Sequence, residues 1–262
     1  MLTSRDNIQI REVRKLLSDG KYRRETGLFA IEGARLCEDA VKSQIAIRTV
    51  LYTAGASTIY ANQLEQLTAK AAHSFEISES VSSYLSETKT PQGVFCVCSA
   101  LDNFESFDKI NKYGFYLALE NMQDPGNMGT IIRTAEALGM DGILLSPGCC
   151  DVTSSKVLRS SMGGVFRMKL YAAGDMTTAL PLLSEKGIAS YACVVDSDAT
   201  PITQISFSKG SVCLIGNEGN GLKPETVSCC DNRITIPMNG RSESLNASMA
   251  AGIVLWEMAR NH

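Results

Sequence analysis

The chain has 262 residues, of which 44% are hydrophobic and 20% charged, and its formal net charge is −3. That composition belongs to a globular protein with a sizeable core, not to a disordered or fibrous chain. No run of about 18 apolar residues occurs, so no membrane span is expected, and the first residues lack the apolar stretch of a secretory signal.

Nine cysteines are present with only two histidines, His73 and His262. No Cys-x-x-Cys spacing occurs, which argues against a zinc site. Reduced thiols in a cytoplasmic protein are the expectation, and no metal is expected. Residues 1–24 hold Arg5, Arg11, Arg14, Lys15, Lys21, Arg23 and Arg24 against Asp6, Glu12 and Asp19, a local charge of +4 that leaves −7 for the remainder. A basic end on an acidic body suits phosphate contacts, although a solvated helix face would look the same.

In chain order, residues 2–17 read as a helix ended by Asp19-Gly20, followed by a strand at 28–31, a helix at 33–41 and a strand at 48–52. A helix over 60–72, a strand at 75–77, a short helix at 80–85 and a strand at 93–98 complete a small α/β domain. The polar stretch 101–109 reads as a linker. The domain assignment is 1–98, a linker over 99–112, and 113–262.

The second series opens with Phe115 to Leu119, an apolar run suited to a buried parallel strand. Helices are expected over 130–138, 154–161 and 177–185, with strands at 142–145, 167–171, 188–194, 212–215 and 233–236. Residues 245–260 form a mostly apolar final helix.

Three apolar strands are each followed by a polar, glycine-containing loop, and ligands of open parallel sheets bind outside the carboxyl ends of strands. The first loop holds Asp124-Pro125-Gly126-Asn127, a turn signature with Asn127 as the expected helix cap, and Arg133 follows six residues later. The second is Gly216-Asn217-Glu218-Gly219-Asn220-Gly221, whose glycines allow close backbone approach but whose spacing is not the dinucleotide fingerprint. In the third, Pro237 ends a strand and Ser242 or Ser244 is the expected cap of the last helix, next to Asn246. Taken singly, these are also the marks of capped helices and solvated loops.

Taken together, in this order, the chain resembles the SpoU (TrmH) family of RNA 2′-O-ribose methyltransferases of the α/β-knot superfamily. The match runs through Asn127-x-Gly129-x-x-x-Arg133, then Gly216-Asn-Glu218-Gly219-x-Gly221, then Ile236-Pro-Met-x-Gly240-x-x-x-Ser244-Leu245-Asn246-x-Ser248, with Ala247 where valine is common. Residues 1–98 are similar to the family's accessory RNA-binding domain, with a ribosomal-protein-like α/β fold.

The resemblance implies a C-terminal α/β-knot domain, a deep trefoil knot with a parallel sheet flanked by helices, that methylates a ribose 2′-hydroxyl with S-adenosylmethionine. It places catalysis on Arg133, Asn127, Glu218, Ser244 and Asn246, with cofactor contacts at Gly216, Asn217, Ile236, Met238 and Leu245. In it Asn127 orients Arg133 or the ribose, Glu218 pairs with Arg133 or fixes its loop, and Asn246 contacts Arg133. An arginine keeps its proton to above about pH 12, so binding a phosphate or stabilising an alkoxide suits Arg133 better than proton removal. It further implies a homodimer joined through the knotted domain, and an RNA substrate, ribosomal before transfer RNA. A non-catalytic RNA-binding protein on this fold and a nucleotide-dependent oxidoreductase are the competing classes. The retained polar residues weigh against the first and the missing fingerprint against the second.

Overall fold

A computed structural model of the chain describes residues 1–101 and 103–260. Asp102, within the expected linker, and His262, one of the two histidines, lie outside the described residues. The chain forms two compact units, Met1–Asp102 with Asp151–Phe166, and Asn103–Cys150 with Arg167–His262.

The first unit is a four-stranded sheet of β1 (Leu28–Glu32), β2 (Ile47–Thr53), β3 (His73–Ile77) and β4 (Val94–Ser99), ordered β1-β4-β2-β3 with only β2 and β3 parallel. Helices α1 (Ile8–Ser18), α2 (Gly20–Thr26), α3 (Ala34–Lys42), α4 (Ala54–Ile59), α5 (Ala61–Lys70) and α6 (Glu79–Leu85) accompany it. Helix α1 buries Ile10, Val13, Leu16 and Leu17, the helical spacing of one apolar face, in a core with Leu51, Ile77 and Phe95.

Three expectations change here. The first helix begins at Ile8, because Asn7 caps it through Gln9 N–H and Leu2 instead pairs with the edge of β3. Asp19 ends α1 but also caps α2, accepting from Lys21 and Tyr22 N–H at 2.9 and 3.1 Å. The helix expected over 60–72 is α5, but a further helix that was not expected, α4, precedes it and meets it at Tyr60.

The basic N-terminal segment is not uniformly a surface. Arg23 is only 7% exposed, donates to Leu16 C=O at 2.7 Å and forms an ion pair with Asp151 at 2.7 Å. Arg5 and Arg14 sit over the Tyr84 ring at 4.8 and 5.4 Å. Arg11, Lys15, Lys21 and Arg24 are exposed.

The second unit carries an eight-stranded, fully parallel sheet. In chain order it contains β5 (Phe104–Glu105), β6 (Phe115–Leu119), α7 (Pro125–Ala137) and β7 (Gly142–Leu145). The chain then makes α8 (Ser155–Ser161), which belongs to the first unit, where Arg159 pairs with Glu87 at 3.2 Å. It continues through β8 (Leu170–Ala172), α9 (Met176–Glu185), β9 (Ala189–Cys193), β10 (Thr200–Pro201), β11 (Ser211–Ile215), α10 (Pro224–Cys229), β12 (Asn232–Thr235) and α11 (Ala247–Ala259). Strand order is β10-β12-β9-β11-β6-β7-β8-β5.

Strands β6 and β11 are buried at every position, as their uninterrupted apolar runs require. Part of the stretch read as a linker is instead structured: Phe104 and Glu105 pair in parallel with Leu170 and Tyr171 at the sheet edge. Residues 151–166, read from sequence as part of the second domain, pack with the first unit, where Phe166 stacks on Phe29 at 6.3 Å.

Candidate active site

In β6 and β11 the register sets Leu119 opposite Ile215, so the chain leaves both strands at one level. Glu120 N–H then donates to Ile215 C=O at 2.9 Å. Strand β12 lies two places from β11, beyond β9. The first two polar loops therefore leave the carboxyl edge side by side, at the place in the strand order where the chain's direction of travel across the sheet reverses.

The first loop enters α7 earlier than the sequence indicates. Asp124, not Asn127, is the cap, accepting from Asn127 N–H at 2.8 Å, with Pro125 in the first turn. Asn127 is thereby released from capping and sits inside the helix with its amide free for other partners. Its Nδ2 donates to Glu218 Oε1 at 3.2 Å, and its Oδ1 accepts from Asn246 Nδ2 at 3.0 Å. Glu218 also accepts from Asp124 N–H at 2.8 Å and Gln123 N–H at 3.2 Å. One carboxylate and two amides thus join all three loops.

Partial burial pushes the Glu218 carboxyl up. Hydrogen bonds from the N–H groups of Asp124, Glu218 itself and Gln123, and from the Asn127 side chain, outweigh it and hold the group below the ordinary carboxylate range. Glu218 is ionised at neutral pH, and of its two expected roles it fills that of fixing the loop.

Asn246 caps α11, accepting from Ser248 and Met249 N–H at 2.9 and 3.3 Å. The expected cap, Ser242 or Ser244, lies outside the helix because the asparagine side chain reaches the free N–H groups first. Arg133 is in the third turn of α7, exposed, and has no hydrogen bond or ion pair among the described residues. The structure does not join it to Glu218, Asn127 or Asn246.

A cavity of about 450 Å³ opens between the second and third loops. All five residues expected at the cofactor, Gly216, Asn217, Ile236, Met238 and Leu245, line it, together with Glu218 and Ser244. Gly216 must be glycine: a Cβ there would run into the backbone of Gly221 and Leu222. The loop folds back on itself, with Asn217 and Gly221 exchanging backbone hydrogen bonds at 3.0 and 2.9 Å. Asn217 Oδ1 accepts from Gly219 and Asn220 N–H, and its Nδ2 donates to Asn121 C=O at 2.9 Å.

Sequence reasoning missed the wall contributed by Cys193, Val194 and Val195 at the end of β9. Only the sheet order, which sets β9 between β11 and β12, brings that segment to the cavity. Burial pushes the Cys193 thiol up to about 11. The size, the apolar walls and the backbone polar groups fit a nucleoside-bearing sulfonium, which needs surface contact and few charges. Among the described residues no cluster of His, Cys, Asp and Glu could hold a metal ion.

Residues 114–256 match the SpoU rRNA Methylase family, more than half of the chain. The chain belongs to that family. Residues 7–96 of this SpoU protein match the MRM3-like substrate binding domain. It is 30% identical over 257 residues to the 23S rRNA (guanosine(2553)-2'-O)-methyltransferase RlmP of Bacillus subtilis, which covers 98% of each chain. The solved structure of an AdoMet-bound rRNA methyltransferase from Sinorhizobium meliloti is 30% identical, with a TM-score of 0.87 over 99% of this chain and 97% of that one. The SpoU methyltransferase AviRb from Streptomyces viridochromogenes, in complex with AdoMet, is 26% identical with a TM-score of 0.84 over 97% of each chain. The α/β-knot class with a separate N-terminal α/β unit is the fold of this SpoU protein, as the sequence motifs imply.

Proposed function

We propose that this SpoU protein transfers a methyl group from S-adenosylmethionine to a ribose 2′-hydroxyl of RNA. The observation that carries the reading is the chain of hydrogen bonds from Glu218 through Asn127 to Asn246, which ties the three motif loops together beside the cavity that holds all five expected cofactor residues.

When bound, S-adenosylmethionine supplies an activated methyl on a sulfonium leaving group. The chain's residues then have mainly to position and to stabilise charge. Gly216, Asn217, Ile236, Met238 and Leu245 hold the cofactor through the folded-back loop and apolar contact. Arg133, with its guanidinium unengaged, binds the phosphate next to the target ribose or stabilises the developing alkoxide. Asn127 and Asn246 keep the two helix starts in register, Glu218 fixes the second loop against the first, and Ser244 offers a hydroxyl at the cavity.

Ribosomal RNA is the substrate class we favour, with residues 1–98 in the RNA-binding part, to whose unit residues 151–166 also belong, and the parallel-sheet unit as the catalytic part. Support comes from the substrate-binding family match and from relatives named as rRNA methyltransferases. A homodimer is our reading of α11, which leaves Met249 and Trp256, seven residues apart on one stripe, 61% and 60% exposed. Cys37, Cys96, Cys98 and Cys213 are buried free thiols, which supports a reducing, cytoplasmic setting. No described helix is long and apolar enough to cross a membrane.

The test is calorimetric titration of the full chain with S-adenosylhomocysteine, followed by transfer of labelled methyl to ribosomal and to transfer RNA. Saturable binding with label recovered as a 2′-O-methyl nucleoside from ribosomal RNA supports the reading. Label only in transfer RNA reverses the substrate choice, and no cofactor binding removes the enzymatic reading. Sedimentation equilibrium reports the dimer.

A further inference from the structure

The loop of residues 216–222, which bounds the cavity, has both its ends held by a single residue that does not itself line the cavity. Glu120 follows β6 directly. Its N–H donates to Ile215 C=O at 2.9 Å, where the loop begins. Its carboxylate accepts from Lys223 N–H at 2.8 Å, where the loop ends, and from the Thr226 hydroxyl at 2.6 Å one turn further on. Glu120 is 4% exposed and Thr226 1%. Among the described residues no cation pairs with this carboxylate, so its burial is costly and rests on those two donors.

We propose that Glu120 is a positioning residue for the cofactor, clamping the entry and exit of the 216–222 loop and so setting affinity for S-adenosylmethionine without touching it. The inference rests on the reading of the cavity as the cofactor site. The loop is suited to such control because its interior has no slack. Gly216 lies against the Gly221–Leu222 backbone, so a shift of the exit at Lys223 passes straight to Gly216 and Asn217. A carboxylate is the group that can hold two donors at once. Glutamine can replace it here, because its oxygen can accept from Lys223 N–H while its amide donates to the Thr226 hydroxyl oxygen. Alanine cannot.

The experiment measures S-adenosylhomocysteine affinity by calorimetry, kcat at saturating cofactor, and Tm for the full-length chain and its Glu120→Ala, Glu120→Gln and Thr226→Val variants. The clamp requires Kd to rise about ten-fold in Glu120→Ala, the equivalent of about 1.4 kcal/mol. It requires Glu120→Gln to stay within about two-fold of the parent, Thr226→Val to weaken binding about three-fold, and kcat at saturation to hold within about two-fold throughout. Should Glu120→Ala not fold, the other two variants decide by the same readout. Parent-like Kd in a folded Glu120→Ala overturns the clamp and leaves the cofactor site standing. So does a loss of kcat and affinity that merely tracks Tm across the variants, which would make Glu120 a structural tie alone. No binding by the parent chain overturns both.

Discussion

Asn246 Nδ2 donates to Asn127 Oδ1 at 3.0 Å, across 119 residues of sequence. The same Asn246 side chain caps α11 through its oxygen, so one amide has two separable duties. Asn246→Asp keeps the acceptor that caps and loses the donor that reaches Asn127. We expect Tm within about 2 °C of the parent and a large fall in methyl transfer. Asn246→Ala loses both, with a cap worth about 1 kcal/mol and a Tm lower by roughly 2–4 °C for a chain of this size. Thermal melts beside a transfer assay check this, and an active Asn246→Asp enzyme would confine Asn246 to capping.

Arg133→Ala is expected to lower kcat by at least about 100-fold, the scale of losing one charge-stabilising group. Affinity for S-adenosylhomocysteine should stay within about two-fold, because Arg133 is not among the residues lining the cavity. Normal turnover in this variant removes Arg133 from the chemistry.

Glu218 sits below the ordinary carboxylate range in the folded chain. A depressed folded pKa contributes stability that is present above the unfolded value, about 4.3, and is lost as pH falls through the lower folded value. The Tm difference between the parent and Glu218→Gln should be flat from pH 7 to about 5 and shrink below about pH 4. A difference that grows on acidification contradicts the hydrogen-bonded carboxylate.

Arg23 and its neighbours should separate cleanly. Arg23→Ala breaks a buried ion pair and leaves Asp151 without its partner, a loss of about 3 kcal/mol in unfolding free energy that chemical denaturation would report. Charge reversal at the exposed Arg11 and Arg24 should leave stability nearly unchanged. It should flatten the salt dependence of RNA affinity by about 0.7–0.9 log units per log unit of salt for each lost phosphate contact. An unaltered slope makes that segment a solvated face.

What the amino-acid order alone determined is local or repeated. Apolar runs such as Phe115 to Leu119 suit buried strands, the spacing of Ile10, Val13 and Leu17 gives a one-sided helix, and the three polar loops follow strands in an order that marks the SpoU family. The tertiary structure decided the partners. Glu218 binds Asp124 and Asn127 rather than Arg133. Asp124 and Asn246 cap where Asn127 and Ser244 also qualified by type, Arg23 is buried instead of facing solvent, and residues 151–166 join the first unit. The physical reason is common to all of these. A polar side chain's propensity says only that it seeks a hydrogen bond, and several residues nearby offer the same chemistry. Sheet register and helix packing, set by burial of apolar surface far along the chain, determine which of the equivalent groups arrives within 3 Å.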